Sequence, residues 1–283
     1  INFQLTPSII YGIKKKGIPL VQTVHDYQMI CPNHLLYNFE KNTPCEKCIT
    51  GSHMNCIKNK CIHASTVKSI LGVIEAKLYS LLKTYKKVDL FVCPSNFLEN
   101  KLLKAKKYYK GKTKTIHNFI NKDKFANTAR KEESYIVYVG RLSKEKGIET
   151  LVQVAKELPQ VKFIFAGTGP LEGLLSGMDN VENVGFQTGE ALEKLIRQAK
   201  FSLYPSEWYE NCPFAVMESQ MYGTPVVGAE IGGIPELIQP GVTGELFESG
   251  NVQALKQTVL GLWEDEEKLA RYWAGCAGVK FYS

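Results

Sequence analysis

Short apolar runs alternate with amphipathic segments throughout the second half of the chain. Ile136-Val137-Tyr138-Val139 has the length and composition of a buried strand and stops at Gly140. From Ile148 to Leu158, apolar residues at 148, 151, 152, 154, 155 and 158 keep helical spacing. Val161 to Ala166 reads as the next strand, closed by Gly167-Thr168-Gly169-Pro170. Gly189 to Ala199 is a helix with Ala191, Leu192, Leu195, Ile196 and Ala199 inward. Lys200 to Tyr204 is a strand stopped by Pro205, and a helix begins at Phe214 with Met217 and Met221 on its apolar face. Two more helices cover Ala254–Trp263 and Glu266–Ala274. Strands alternating with helices predict an α/β domain built on a parallel sheet.

The first half has the same rhythm with more polar interruptions. A helix over Ile9–Ile13 ends in Lys14-Lys15-Lys16-Gly17, and Ile18 to Asp26 reads as a buried strand delivering His25 and Asp26 at its carboxyl end. Apolar residues at Val67, Ile70, Leu71, Ile74, Leu78, Leu81 and Leu82 form a helical stripe, which is taken as core. Lys87 to Cys93 is a strand, and Pro94-Ser95-Asn96 opens a helix through about Tyr109. Residues 122–134, rich in Lys, Asn, Glu and Ser, are the expected linker. Two domains follow, at residues 1–121 and 135–283.

At 283 residues the chain accommodates two such domains. No apolar run approaches the roughly 20 residues that span a bilayer, and no basic-then-apolar leader opens the sequence, so a cytoplasmic location is expected. Because it opens on Ile1 rather than Met, the chain is expected to be a fragment. Charge divides unevenly: Lys plus Arg against Asp plus Glu is 23 against 9 in residues 1–134 and 12 against 19 in residues 135–283. A basic first half suits nucleic acid, an anionic membrane surface or a phosphorylated acceptor. The Phe97–Lys110 segment concentrates Lys101, Lys104, Lys106, Lys107 and Lys110 beside Tyr108 and Tyr109. It reads either as a solvated helix face or as a patch for peripheral contact with the inner face of a membrane or with a lipid phosphate. Cys45-x2-Cys48-x7-Cys56-x4-Cys61, with Cys31 upstream, has the ligand count of a structural zinc site. A disulfide framework and scattered reduced thiols are the competing readings.

The stretch Ser206-Glu207-Trp208-Tyr209-Glu210-Asn211-Cys212-Pro213-Phe214-Ala215-Val216-Met217-Glu218 carries the clearest chemistry. It places Glu210 in the loop between a strand and a helix, and Glu218 about one turn into that helix. Loops at the carboxyl ends of parallel strands form the ligand crevice of open α/β sheets, where two carboxylates can accept hydrogen bonds from several hydroxyls of a sugar nucleotide. Behind the strand at 136–139, Gly140-Arg141-Leu142-Ser143-Lys144-Glu145-Lys146-Gly147 offers backbone N–H groups and two cations, Arg141 and Lys146, suited to a diphosphate. Gly167-Thr168-Gly169 is a second loop of the same kind or a plain turn.

The ordered set P-S-x-x-x-E-x7-E, G-T-P-V-V and G-G-I-P-E-L-I, joined by G-R-L-x-x-x-K-G, resembles glycosyltransferase family 4. That family comprises retaining, nucleotide-sugar-dependent enzymes of the GT-B fold, with two Rossmann-like domains facing across a cleft. The resemblance implies transfer of a hexosyl unit from a nucleoside diphosphate sugar to a saccharide or lipid-linked acceptor, in cell-surface polysaccharide or glycolipid synthesis, with no cofactor for catalysis. Carried over by motif, Glu210 binds hydroxyls of the transferred sugar, Glu218 the ribose, and Arg141 and Lys146 the leaving diphosphate. Gly140, Gly167, Gly169, Asn211, Phe214 and Ala215 complete the donor loops. Val184-Gly185-Phe186 lies where relatives contact the base, and His25 stands where they place a histidine toward donor and acceptor. Thr115 to Asn121 resembles the family's strand-plus-Asn segment that ends the first domain, and relatives with His-Asp-Tyr and Cys-Pro tend to carry a cysteine-rich insert. The family pattern adds a strand and glycine-rich loop before Ile1 and a crossing helix after Ser283. A zinc-stabilised basic module binding nucleic acid or an anionic surface is the alternative from another class. It leaves the donor motifs unexplained, and the chain lacks the signature of a nucleic-acid-binding fold. A phosphorylase or sugar-nucleotide epimerase of related architecture is a second alternative.

Overall fold

The computed structural model describes residues 6–120, 133–279 and 281; the expected linker, residues 122–134, falls mostly outside them. The chain divides into two units, Ile1–His117 and Asn118–Ser283.

The first unit runs α1 (Ile9–Lys15), β1 (Val21–Thr23), β2 (Tyr37–Asn38), β3 (Thr43–Pro44), α2 (Met54–Lys58), α3 (Thr66–Leu81), β4 (Leu90–Cys93), α4 (Asn96–Ala105) and β5 (Thr113–Thr115). β1, β4 and β5 form a parallel sheet in that order, with Val21 opposite Leu90 and Phe91 opposite Thr113. The Asp89 carboxylate ties α1 to the sheet, accepting from the Leu20 amide at 2.7 Å and from Lys14 Nζ at 2.8 Å. α4 starts as its sequence predicts: buried Ser95 caps it, its hydroxyl accepting from the Leu98 amide at 3.2 Å, while Leu98 and Leu102 face the core. Ser95→Ala strands that amide, and a loss of about 1–2 kcal/mol is expected, read as a lower denaturant midpoint for the first unit by circular dichroism.

Three expectations for this unit change. The run Ile18–Asp26 yields only a three-residue strand whose Val21 and Thr23 are exposed, because β1 pairs with β4 alone among the described residues. α4 ends at Ala105, where Lys106 takes an extended conformation, and Tyr109 then turns inward to pack edge-on against Phe91. The lysines from 101 to 110 therefore do not share one helix face. Finally, the apolar stripe of α3 is not core. Ser69 and Val73 are its buried residues, while Val67, Ile70, Leu71, Ile74, Leu78 and Leu81 are exposed.

The second unit contains β6 (Ile136–Val139), α5 (Ile148–Glu157), β7 (Phe163–Ala166), β8 (Val181–Asn183), α6 (Gly189–Gln198), β9 (Ser202–Tyr204), α7 (Phe214–Met221), β10 (Val226–Ala229), β11 (Gly244–Phe247), α8 (Val252–Trp263) and α9 (Glu266–Ala277). All six strands are parallel in the order β11-β10-β9-β6-β7-β8. Numbered within the unit this is 6-5-4-1-2-3, the doubly wound order whose direction reverses between its first and fourth strands, β6 and β9. Both faces of the sheet are covered. Ile136, Tyr138, Phe163, Phe165 and Leu203 pack with α5 and α8 through Leu151, Ala155, Leu255 and Val259. Val137 and Ile164, one residue out of phase, join Tyr135 and Ala199 in another cluster. Ile120 packs with Val216 and Met217 of α7, and Asn118 Nδ2 donates to the Cys212 carbonyl at 2.9 Å, so the chain joins the second unit ahead of residue 121.

Candidate active site

The loops that leave β6 and β9 lie side by side at the carboxyl end of the sheet, on the two flanks of the reversal point. The Glu207 amide donates to the Glu145 carbonyl at 2.9 Å. Gly147 makes this approach possible: its φ is +74°, and a Cβ there would sit 1.8 Å from the Pro205 carbonyl oxygen. The β6 and β7 loops interlock similarly, with Gly140 N–H donating to Ala166 O at 3.1 Å and Leu142 N–H to Thr168 O at 2.9 Å. Gly140, Gly167 and Gly169 are thereby drawn together at one end of the sheet. From the other side, the Gly233 amide donates to the Glu210 carbonyl at 2.7 Å. Gly232, with φ of +63°, sits where a Cβ would meet that same oxygen at 2.4 Å.

These loops bring Lys146 and Glu210, 64 residues apart, into an ion pair. The pair is shielded, with 21% of the lysine side chain and 13% of the glutamate side chain exposed. Glu210 Oε1 also accepts from Trp208 Nε1 at 2.7 Å and from Ser206 Oγ at 3.4 Å. Lys146 Nζ stands 4.8 Å from the centre of the Trp208 ring, a cation–π contact. Beneath the pair, burial and then the Glu210 carboxylate hold the Tyr204 hydroxyl well above its ordinary pKa, and the same two causes raise Tyr138, whose hydroxyl donates to Arg141 O at 2.9 Å. Neighbouring Glu207 accepts from Thr150 Oγ1 at 2.6 Å, and burial pushes its carboxyl upward. An ammonium and a carboxylate at a reversal point, held by the Trp208 indole and the Tyr204 phenol, can meet a phosphate and a hydroxyl side by side.

The other candidates of the second unit stand apart from this pair. Arg141 is exposed at the start of the β6 loop, and Glu218 is half-buried on the second turn of α7. Asn211 and Ala215 are half-buried and Phe214 is half-exposed around the start of α7, a helix with no capping side chain and no acidic residue in its first turn. Phe186 is 75% exposed in the loop after β8. His25 lies in the first unit, exposed just beyond β1. Trp208, Ser206, Tyr138 and Tyr204 were not singled out from sequence, although a tryptophan two residues before a loop glutamate is a signal that could have found the first.

Lys101 and Lys104 of α4 both pair with Glu46. Of the cysteines, Cys48, Cys56 and Cys61 pack against Val73 as buried thiols, and burial pushes Cys31 up to about 11 and Cys48 up to about 12. Among the described residues no group of three or more His, Cys, Asp or Glu stands in position to hold a metal ion, although Cys48, Cys56 and Cys61 of the proposed zinc set Cys45, Cys48, Cys56 and Cys61 share one cluster.

Residues 119–274 match the family model described as glycosyl transferases group 1. The chain is 36% identical over 143 residues to the sulfoquinovosyl transferase SQD2 of Arabidopsis thaliana, covering 48% of this chain and 28% of that protein. It is 33% identical over 147 residues to the amylovoran biosynthesis glycosyltransferase AmsK of Erwinia amylovora, covering 46% of this chain and 36% of that protein. The matches thus span about a third of the length of these relatives. Among solved structures, Anabaena HepE in complex with UDP superposes with a TM-score of 0.70 at 19% identity, over 98% of this chain and 72% of that one. The sucrose-phosphate synthase of Thermosynechococcus elongatus gives a TM-score of 0.70, over 95% of this chain and 65% of that one. These likenesses show the GT-B fold class expected from the sequence. No described helix is long and apolar enough to cross a membrane. The chain belongs to the glycosyl transferases group 1 family.

Proposed function

We propose that this protein transfers a hexosyl unit, with retention at the anomeric carbon, from a nucleoside diphosphate sugar to an acceptor hydroxyl in cell-surface polysaccharide or glycolipid assembly. The observation that carries this reading is the Lys146–Glu210 pair at the reversal point of the second sheet. As the glycosidic bond breaks, negative charge grows on the departing diphosphate. Lys146 and Arg141 neutralise it without a metal, aided by the N–H groups around Gly140, Gly167 and Gly169. Diphosphate entry draws the ammonium from Glu210, which then accepts from hydroxyls of the transferred sugar. Glu218 takes the ribose hydroxyls, Phe186 lies beside the base, and Asn211, Phe214 and Ala215 shape the wall at the start of α7. His25 serves the acceptor side, and the Lys101–Lys110 segment offers the cations of exposed Lys106, Lys107 and Lys110 to a phosphorylated, lipid-linked acceptor. The relatives' names, a sulfoquinovosyl transferase and an amylovoran biosynthesis glycosyltransferase, support the reaction class and a biosynthetic role. The HepE complex with UDP supports a nucleoside diphosphate leaving group.

The test is incubation of the protein with a panel of nucleoside diphosphate sugars, each with saccharide and polyprenyl-phosphate-linked acceptors, followed by proton NMR of the anomeric proton in the glycosidic product. Retention of the donor's anomeric configuration with one donor is expected. An inverted product would overturn the retaining assignment, and absence of turnover with every donor would count against transfer by this chain.

A further inference from the structure

The apolar face of α3 is a feature of the first unit that the transfer reaction does not use. The helix packs on its own unit through small residues: Ser69 and Val73 are buried, Gly72 and Ala76 half-buried, and Ser69 Oγ accepts from the Ile62 amide at 3.2 Å. The opposite side carries Val67, Ile70, Leu71, Ile74, Leu78 and Leu81 at i, i+3, i+4, i+7, i+11 and i+14, one continuous stripe along 16 residues. Val67 is 67%, Leu71 61% and Leu81 79% exposed. Six large aliphatic side chains in one row exceed what a surface facing only water carries.

What borders the stripe identifies its occupant. Exposed Lys68 and Lys77 lie on its two flanks, and exposed Lys83, Lys86 and Lys87 follow the end of the helix, against Glu75 as the single carboxylate within α3. Over residues 1–117 there are 19 lysines against 6 carboxylates. A second copy of the same face would bring like-charged rims together, and a polar partner would leave the aliphatic row wet. An anionic bilayer satisfies both, its acyl boundary taking the leucines and its headgroups the lysines. Lys101 and Lys104, by contrast, already share the Glu46 carboxylate. We propose that α3 lies in the interface of an anionic lipid bilayer, stripe downward, and docks the first unit on the membrane. The proposal does not depend on the transfer reaction.

Co-sedimentation of the full chain with vesicles of phosphatidylcholine alone, or mixed with phosphatidylglycerol, tests it. Binding is expected to the mixed vesicles, to weaken with salt, and to fall roughly tenfold or more in Leu71→Glu/Leu78→Glu and in Lys68→Glu/Lys77→Glu. Because these side chains are exposed, circular dichroism should match the parent. If a variant misfolds, hydrogen exchange on the parent decides, with protection of residues 66–81 by mixed vesicles expected. Failure to bind mixed vesicles, equal binding by the Leu71/Leu78 variant, or unchanged exchange in 66–81 would overturn the proposal. So would a soluble dimer that the same variant dissolves, which would give the face to a second copy.

Discussion

Replacing Lys146 with alanine is expected to lower kcat/KM for transfer by about three orders of magnitude while the second unit keeps its fold. The lysine is the cation closest to Glu210, and its charge matters most when the leaving diphosphate becomes negative, so the loss falls mainly on kcat. Binding of the free nucleoside diphosphate should weaken less, because backbone N–H groups and Arg141 remain. Lys146→Arg keeps the charge but widens the head, and the shielded position between Trp208 and Glu210 leaves little room for a guanidinium, so only part of the activity should return. Glu210→Gln should also be severe: the amide oxygen can still accept from Trp208 and Ser206, but the charge that pairs with Lys146 and strengthens the grip on the sugar hydroxyls is lost. Steady-state kinetics on the cognate donor, with circular dichroism as the folding control, reads both. Wild-type kcat in either Lys146→Ala or Glu210→Gln would remove that residue from the mechanism.

The second large effect is structural. Gly147→Ala puts a Cβ at φ +74° and 1.8 Å from the Pro205 carbonyl oxygen, where backbone rather than a flexible side chain must give way. Left-handed strain and overpacking together should cost roughly 3–5 kcal/mol, about 10 °C in Tm for a unit of this size, and should separate the β6 and β9 loops that bring Lys146 to Glu210. Gly177→Ala is the control: its φ is +77° but a Cβ there meets nothing within 4 Å, so only the conformational cost of about 1 kcal/mol applies. Equal Tm losses for the two substitutions, measured by calorimetry, would show that the approach to Pro205 is not what holds the loops together.

In the second unit β6, β7 and β9 were legible as strands and α5 to α9 as helices, whereas β8, β10 and β11 were not read as strands. Its strands are flanked by Gly or Pro, as at Gly140, Gly167 and Pro205, and its helices carry apolar residues at 3.6-residue spacing facing a sheet covered on both sides, so local pattern and burial agree. In the first unit they part. The α3 stripe has the same periodicity as a core helix, and periodicity reports only that one face is apolar, not which face packs; here Ser69, Gly72 and Ala76 pack because small side chains let the helix approach closely. The α4 boundary was misplaced because Tyr108 and Tyr109 suit a helix locally, while burial of Tyr109 against Phe91 pulls the chain out of it. At the site, the glutamates and cations were visible as motif residues. The Lys146–Glu210 pairing and its Trp208 contact were not, since both depend on a loop-to-loop approach between residues 64 positions apart.

The most direct test of the central claim is thermal stabilisation of the chain by UDP, GDP, ADP, TDP and CMP, each with and without Mg2+, on the parent and on Lys146→Ala. One diphosphate should raise the parent's Tm by several degrees at concentrations about a hundredfold above its Kd, equally without magnesium, and the shift should shrink in the variant. No shift with any nucleotide, or a shift that needs Mg2+ and is untouched by Lys146→Ala, would contradict a metal-free diphosphate site between β6 and β9.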